Sequence, residues 1–191
     1  MTALVRLAAA SVLAITVCPV YAQMSGHQHE GGSTAAEMHA HKPPVPPSHA
    51  VTVSFQGATK TLTVEDLRAL PQTTLHVHNA HANADETYSG PLLSVVLEHA
   101  GLAAAKETEP LILHSVVVAG ATDHYTVVYS AAEAEPMFSK EQVIVAINKA
   151  DAPDTAGGVI QLINTGDAKP ARWVHGLSSL RVEPVASSDA Q

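Results

Sequence analysis

Residues 111–133 read LILHSVVVAGATDHYTVVYSAAE, and the fold class turns on how this stretch is divided. Leu111 to Ala119 and Thr122 to Tyr129 are rich in β-branched and aromatic residues, which predicts two strands on either side of a tight Gly120-Ala121 connection. Ser130, with Glu133 three residues later, is a capping-box pair and opens a short helix. A strand that passes directly into a second strand departs from the alternating rhythm of a doubly wound sheet.

The same character extends in both directions. Upstream, Val51 to Phe55 alternates as a strand, Gln56-Gly57 turns the chain, and Thr59 to Thr63 returns as a second strand. Thr63 is an N-cap for a helix over 64–70 that Pro71 stops. Thr73 to His78 is again β-rich, and the polar run from Asn79 to Thr87 reads as a loop. Beyond Ser89-Gly90-Pro91, the residues Leu92, Leu93, Val96, Leu97 and Ala100 recur at helical spacing until Gly101 ends the helix. Downstream, Val143 to Ile147, Val159 to Ile163 and Leu177 to Val182 predict further strands. Strands outnumber short, irregularly placed helices, so the class is α+β.

The first 50 residues have a different composition. Residues 1–22 combine Arg6, an uncharged apolar run from Leu7 to Val17, and Val20-Tyr21-Ala22 with small residues at a cleavage site. This is the pattern of a secretory signal peptide, and the run is too short to span a membrane. It predicts export, to a bacterial periplasm, with no membrane span in the mature chain. Residues 23–50 are rich in Gly, Ser, Pro and His and cannot bury enough surface to offset ordering, so they read as a disordered linker. The folded domain is expected over 51–185, and 186–191 is a tail.

The chain has 12 His against 10 Lys and Arg together, and a single cysteine, Cys18. That cysteine leaves with the signal peptide, so no internal disulfide and no thiolate are expected in the mature protein. A formal charge of −8 opposes phosphate neutralisation, which excludes non-specific nucleic-acid binding. The linker carries His27, His29, His39 and His41 as two His-x-His pairs, each able to converge on copper or zinc. His76, His78 and His81, followed by Asp85 and Glu86, form the densest group in the domain. On a strand His76 and His78 share a face, and the loop brings His81 or a carboxylate beside them, giving a candidate copper or zinc site. The plainer alternative is a polar strand face with histidines capping loop carbonyls. A third group is Lys169-Pro170-Ala171-Arg172-Trp173-Val174-His175, where Arg172 offers bidentate anion binding and Trp173 a stacking surface; the plainer alternative is a core Trp with an ordinary salt bridge. Phosphate loops, nucleophile elbows and zinc-ligand cysteine pairs are absent from the sequence.

Several segments, in order, carry a family resemblance: Leu62-Thr-Val-Glu-Asp-Leu-Arg-Ala-Leu-Pro71, Tyr88-Ser-Gly-Pro-Leu-Leu-Ser-Val-Val-Leu-Glu-His-Ala-Gly101, Asp123-His-Tyr-Thr-Val-Val-Tyr-Ser-Ala-Ala-Glu133, Ala171-Arg-Trp-Val-His-Gly176 and Leu180-Arg-Val182. Together they resemble the molybdopterin-binding domain of the sulfite oxidase family, in its small exported single-domain form. The resemblance implies that fold, a molybdopterin cofactor, and Arg172, Trp173 and His175 as cofactor-binding positions. Two departures stand out. The family pattern has Asp-Gly-Tyr where this chain has Asp123-His124-Tyr125, and the cysteine that ligates molybdenum has no counterpart. The favoured reading is therefore a non-catalytic binding module for a small ligand or a periplasmic protein partner, without bound molybdenum. The alternatives are an oxidoreductase holding molybdopterin non-covalently and a periplasmic copper- or zinc-binding protein.

Overall fold

The computed structural model describes residues 45–103, 105–154 and 158–185. The signal peptide, the histidines at 27, 29, 39 and 41, and the 186–191 tail lie outside these residues.

The largest sheet is built from β1 (Ala50–Phe55), β2 (Ala58–Thr63), β5 (Ser115–Ala121), β6 (Thr126–Ser130) and β12 (Leu177–Pro184). Their order is β2-β1-β12-β5-β6, with β1 and β12 parallel and every other neighbour antiparallel. Buried Val51, Val53 and Phe55 alternate with partly exposed neighbours on β1, as a strand with one covered face requires. The helix α1 (Val64–Ala69) follows β2 directly. Its cap is reciprocal: Asp66 donates its N–H to Thr63 Oγ1 at 3.2 Å, and Asp66 Oδ2 accepts the Thr63 N–H at 2.9 Å.

A second sheet joins β3 (Thr73–Asn79), β4 (Ala84–Gly90), β8 (Asn148–Lys149) and β9 (Ala152–Pro153), and a third joins β11 (Val174–His175), β10 (Gln161–Asn164) and β7 (Val143–Ala146). Every residue of β7 and β10 is buried. Their side chains divide by the two-residue period of a strand. Val143, Val145 and Leu162 enter the main core, whereas Ile144, Ala146 and Ile163 enter a smaller one with Leu75, Val77, Tyr88 and Trp173. The three-stranded sheet is thus the wall between two cores, which is why VIVA shows no polar alternation. Along this wall runs Ser89 to Leu92, donating no side chain at Gly90. A Cβ there would stand 2.0 Å from the Val145 carbonyl oxygen. The helix α2 (Leu93–His99) then buries Leu93, Val96 and Leu97, each worth about 1.5–3 kcal/mol of transfer free energy.

Several elements differ from expectation. Leu111–Leu113 belong to the helix α3 (Glu109–Leu113), and β5 begins only at Ser115. Pro110 near the helix start supplies the physical reason, because its fixed φ suits the first turn. The turn after β5 lies at Thr122–His124, beyond Gly120-Ala121. The loop expected over 79–87 is short, since β4 begins at Ala84 and pairs with β3 along seven residues from Thr73↔Gly90 to Asn79↔Ala84. Val159 precedes β10 and has a φ of 69°. Residues before Val51 also belong with the fold: Ser48 is buried, and both its N–H and hydroxyl donate to the Gly158 carbonyl. The capping box at Ser130 and Glu133 forms as read, opening α4 (Ala131–Ala134). The described residues are strand-rich with short helices and mixed sheets, consistent with α+β. Among them no helix is long and apolar enough to cross a membrane.

Candidate functional site

The segment from β10 to β11 carries the third residue group. Asn164 Oδ1 accepts the Gly166 N–H at 2.8 Å and turns the chain out of β10. Pro170 then starts a 3-10 turn, Pro170–Arg172, and its carbonyl accepts the Trp173 N–H at 3.1 Å. Two tyrosines from the β5–β6 region pin this turn from outside. Tyr129 donates its hydroxyl to the Arg172 carbonyl at 2.6 Å, and Tyr125 donates to the Ala171 carbonyl.

The Arg172 side chain is committed within the fold. Nε and one terminal nitrogen donate to Asp167 Oδ1 at 2.8 and 2.6 Å, and both terminal nitrogens reach Glu133 Oε1 at 3.2 Å. The guanidinium carbon also lies 4.6 Å from the Tyr129 ring centroid. Burial pulls the Arg172 pKa down, but the hydrogen bonds and charges of Asp167 and Glu133 outweigh it and hold the pKa above its ordinary value. Glu133 serves two places at once, because its other oxygen accepts the Ser130 N–H at 2.8 Å in the capping box. Tyr129 is fully buried, and that burial, followed by the Asp167 charge, pushes its phenol pKa upward. Trp173 is buried in the smaller core. Its Nε1 donates to the Asn164 carbonyl at 3.2 Å, and its ring meets Tyr88 edge-on at 6.0 Å.

On either side of this turn the surface is concave. A cleft of about 460 Å³ lies between Asn79, Ala80 and His81 of the β3–β4 turn and Lys169, Ala171 and His175. A neighbouring hollow of about 240 Å³ shares Pro170, Ala171 and His175 and is bordered by Asp123 and Tyr125. The β3–β4 turn is shaped by Asn79, whose Oδ1 accepts the N–H groups of His81 and Ala82 at 3.0 and 3.1 Å. Asn79 Nδ2 donates to Glu86, which also accepts from Tyr88 and Lys149, each at 2.7 Å. Burial pushes the Glu86 pKa up, but these bonds dominate and hold it below its ordinary value. At the second hollow, Asp123 Oδ1 accepts the Tyr125 N–H at 3.1 Å, and His124 has a φ of 67°. That left-handed conformation explains why a glycine suits this turn and how a histidine departs from the pattern.

The histidine group over 76–81 is divided by the hairpin. His76 and His78 stand on the exposed face of β3, where Nδ1 of each contacts its cross-strand partner: Thr87 Oγ1 at 3.0 Å and Asp85 Oδ1 at 2.8 Å. His81 lies beyond β3, in the turn, where it borders the cleft with His175. Among the described residues, no three His, Cys, Asp or Glu side chains are placed to hold one ion. Sequence reading joined Arg172, Trp173 and His175 as one group. The structure sends Arg172 to the carboxylates, Trp173 to the core and His175 to the cleft. Asp167 of this site carries no signal in the sequence, and Glu133 reads there only as a cap.

No family model and no curated protein matches the chain. Among solved structures it is similar to the sulfane dehydrogenase SoxCD from Paracoccus pantotrophus, with 16% sequence identity and a TM-score of 0.54. The likeness covers 73% of this chain and 39% of that one, so the chain spans about two fifths of the protein it matches. At this level of identity the likeness shows a shared fold and nothing beyond it.

Proposed function

We propose that the protein is an exported, non-catalytic binding domain on a molybdopterin-oxidoreductase-like fold. It takes a small ligand in the cleft between the β3–β4 turn and Lys169–His175. The observation that carries this reading is the double carboxylate clamp on Arg172. An arginine already bonded to Asp167 and Glu133 has no fork left to offer an anionic cofactor. The donor set supports the same reading, since Cys18 is the chain's sole cysteine and the described residues contain no thiolate for molybdenum. The residues present therefore do not fit a thiolate-ligated molybdopterin centre. The cleft offers instead Lys169, two imidazoles and an apolar floor at Pro170 and Ala171, a set suited to a small, partly apolar molecule with a negative group.

The fold likeness favours one second reading, an oxidoreductase that holds molybdopterin without a protein thiolate. Elemental and pterin analysis of the exported protein, purified from a host that makes the cofactor, separates the two. The binding-domain reading expects only trace molybdenum and pterin. Stoichiometric amounts of both would overturn it.

A further inference from the structure

We infer that the exposed face of the β3–β4 hairpin is a copper(II) site formed by His76 and His78, with Asp85 as a positioning residue. The site is separate from the cleft and independent of the binding-domain reading.

Strand geometry supplies the first part of the argument. Residues two apart on a strand point to the same face, with Cα atoms about 6.6–6.8 Å apart. Leu75 and Val77 take the buried face of β3, which leaves His76 and His78 together on the exposed one. Side chains of imidazole length bridge that separation to a single ion, whose bonds to nitrogen run to about 2.0–2.1 Å for a borderline cation such as zinc.

Register supplies the second part. His76 faces Thr87 and His78 faces Asp85 across the hairpin, and each partner contacts Nδ1. Both rings are therefore held by the same nitrogen, and Nε2 on each is the nitrogen left to bind an ion. An ionised Asp85 only accepts, so His78 Nδ1 carries the proton and Nε2 carries the lone pair. This is the carboxylate–histidine arrangement that orients metal-ligating imidazoles and raises their basicity. The Thr87 hydroxyl takes either role, so it orients His76 while leaving its tautomer free to follow an ion.

Two imidazoles, with no third ligand beside them among the described residues, define the chemistry of the site. The remaining coordination positions are open to water or to an external donor, and the ion is exchangeable rather than enclosed. Among divalent first-row ions, copper(II) binds nitrogen donors most tightly, with nickel and zinc weaker.

The test uses the full chain with His27, His29, His39 and His41 replaced by Gln, so that the linker contributes no imidazole. Titration with copper(II), followed by calorimetry and electron paramagnetic resonance, is expected to give saturable binding with nitrogen hyperfine structure. His76→Gln or His78→Gln alone is expected to weaken it by about a hundredfold, because the second ligand then no longer acts intramolecularly. Asp85→Asn is expected to weaken it about tenfold, the low end for such a partner because Asp85 is 92% exposed. Asp85→Glu should restore most of that loss. Both histidines are exposed, so thermal unfolding of these variants without metal should match the parent. Absence of saturable binding in the linker variant, or unchanged affinity after replacing His76 and His78 together, would overturn the assignment.

Discussion

Replacing Arg172 with Met keeps the bulk of the side-chain stem against Tyr129 but deletes the guanidinium. The cost is set by what remains behind. The Asp167 side chain is only 6% exposed, and both hydrogen bonds to its Oδ1 come from Arg172. Its Oδ2 is buried without a partner. Losing hydrogen bonds to a charged group costs about 1.5–3 kcal/mol. Stranding the carboxylate moves the figure towards the roughly 3–5 kcal/mol seen when buried pairs are broken. Glu133 adds little, because it and Arg172 are 38% and 39% exposed, a setting in which ion pairs contribute about 0–1 kcal/mol. The same exposure of Arg172 discounts the upper bound, so R172M should destabilise the protein by about 2–4 kcal/mol. Urea unfolding monitored by Trp173 fluorescence measures this directly. Adding Asp167→Asn should recover more than half of the loss, since the stranded charge is then gone. A stability for R172M within about 0.5 kcal/mol of the parent, the range of ordinary surface changes, would show that the clamp is not structural and would free Arg172 for a ligand.

Partly buried Glu86 and buried Glu135 should respond to pH with opposite sign. Glu86 has a folded pKa held below its ordinary value, so its contribution is present at neutral pH and is lost as pH falls through that lowered pKa. In Glu86→Gln the acid limb of a stability–pH curve should flatten; an unchanged limb would refute the role given to Lys149, Tyr88 and Asn79. Glu135 has its pKa raised by burial and then by the Glu98 charge, and its Oε1 is buried without a partner. Its folded form favours the proton, so stability is greatest at low pH and declines as pH rises through the raised pKa. Glu135→Gln should therefore stabilise the protein at neutral pH by about 1 kcal/mol, with a gain that shrinks on acidification. A loss of stability on thermal unfolding at neutral pH would contradict this.

Local signals were the readable ones. Thr63 with its helix, Ser130 with Glu133, and the pair of strands around Gln56-Gly57 all depend on residues close in sequence, and all form as expected. Leu111–Leu113 misled because a short apolar run suits a strand or a buried helix equally, and the deciding residue was Pro110. Ala84–Thr87 misled in the other direction. Ala84, Asp85 and Glu86 have poor strand propensity, and they extend because β3 offers them a complete ladder. The Arg172 clamp was hidden for a different reason, since Glu133 sits 39 residues away and already had a local role in its cap. Likewise, the loop after His78 is legible, but nothing in the spacing shows that His81 borders the cleft instead of returning beside His76 and His78.

The position of β12 bears on when the chain acquires its structure. The last strand in sequence is the middle strand of the largest sheet, paired with β1 on one side and β5 on the other. Until residues 177–184 are available, the two hairpins that flank them have no common seam, and the main core cannot close over Leu177, Leu180 and Val182. The main sheet therefore closes only by pairing across the whole span from β1 to β12, the kind of long-range contact that slows folding.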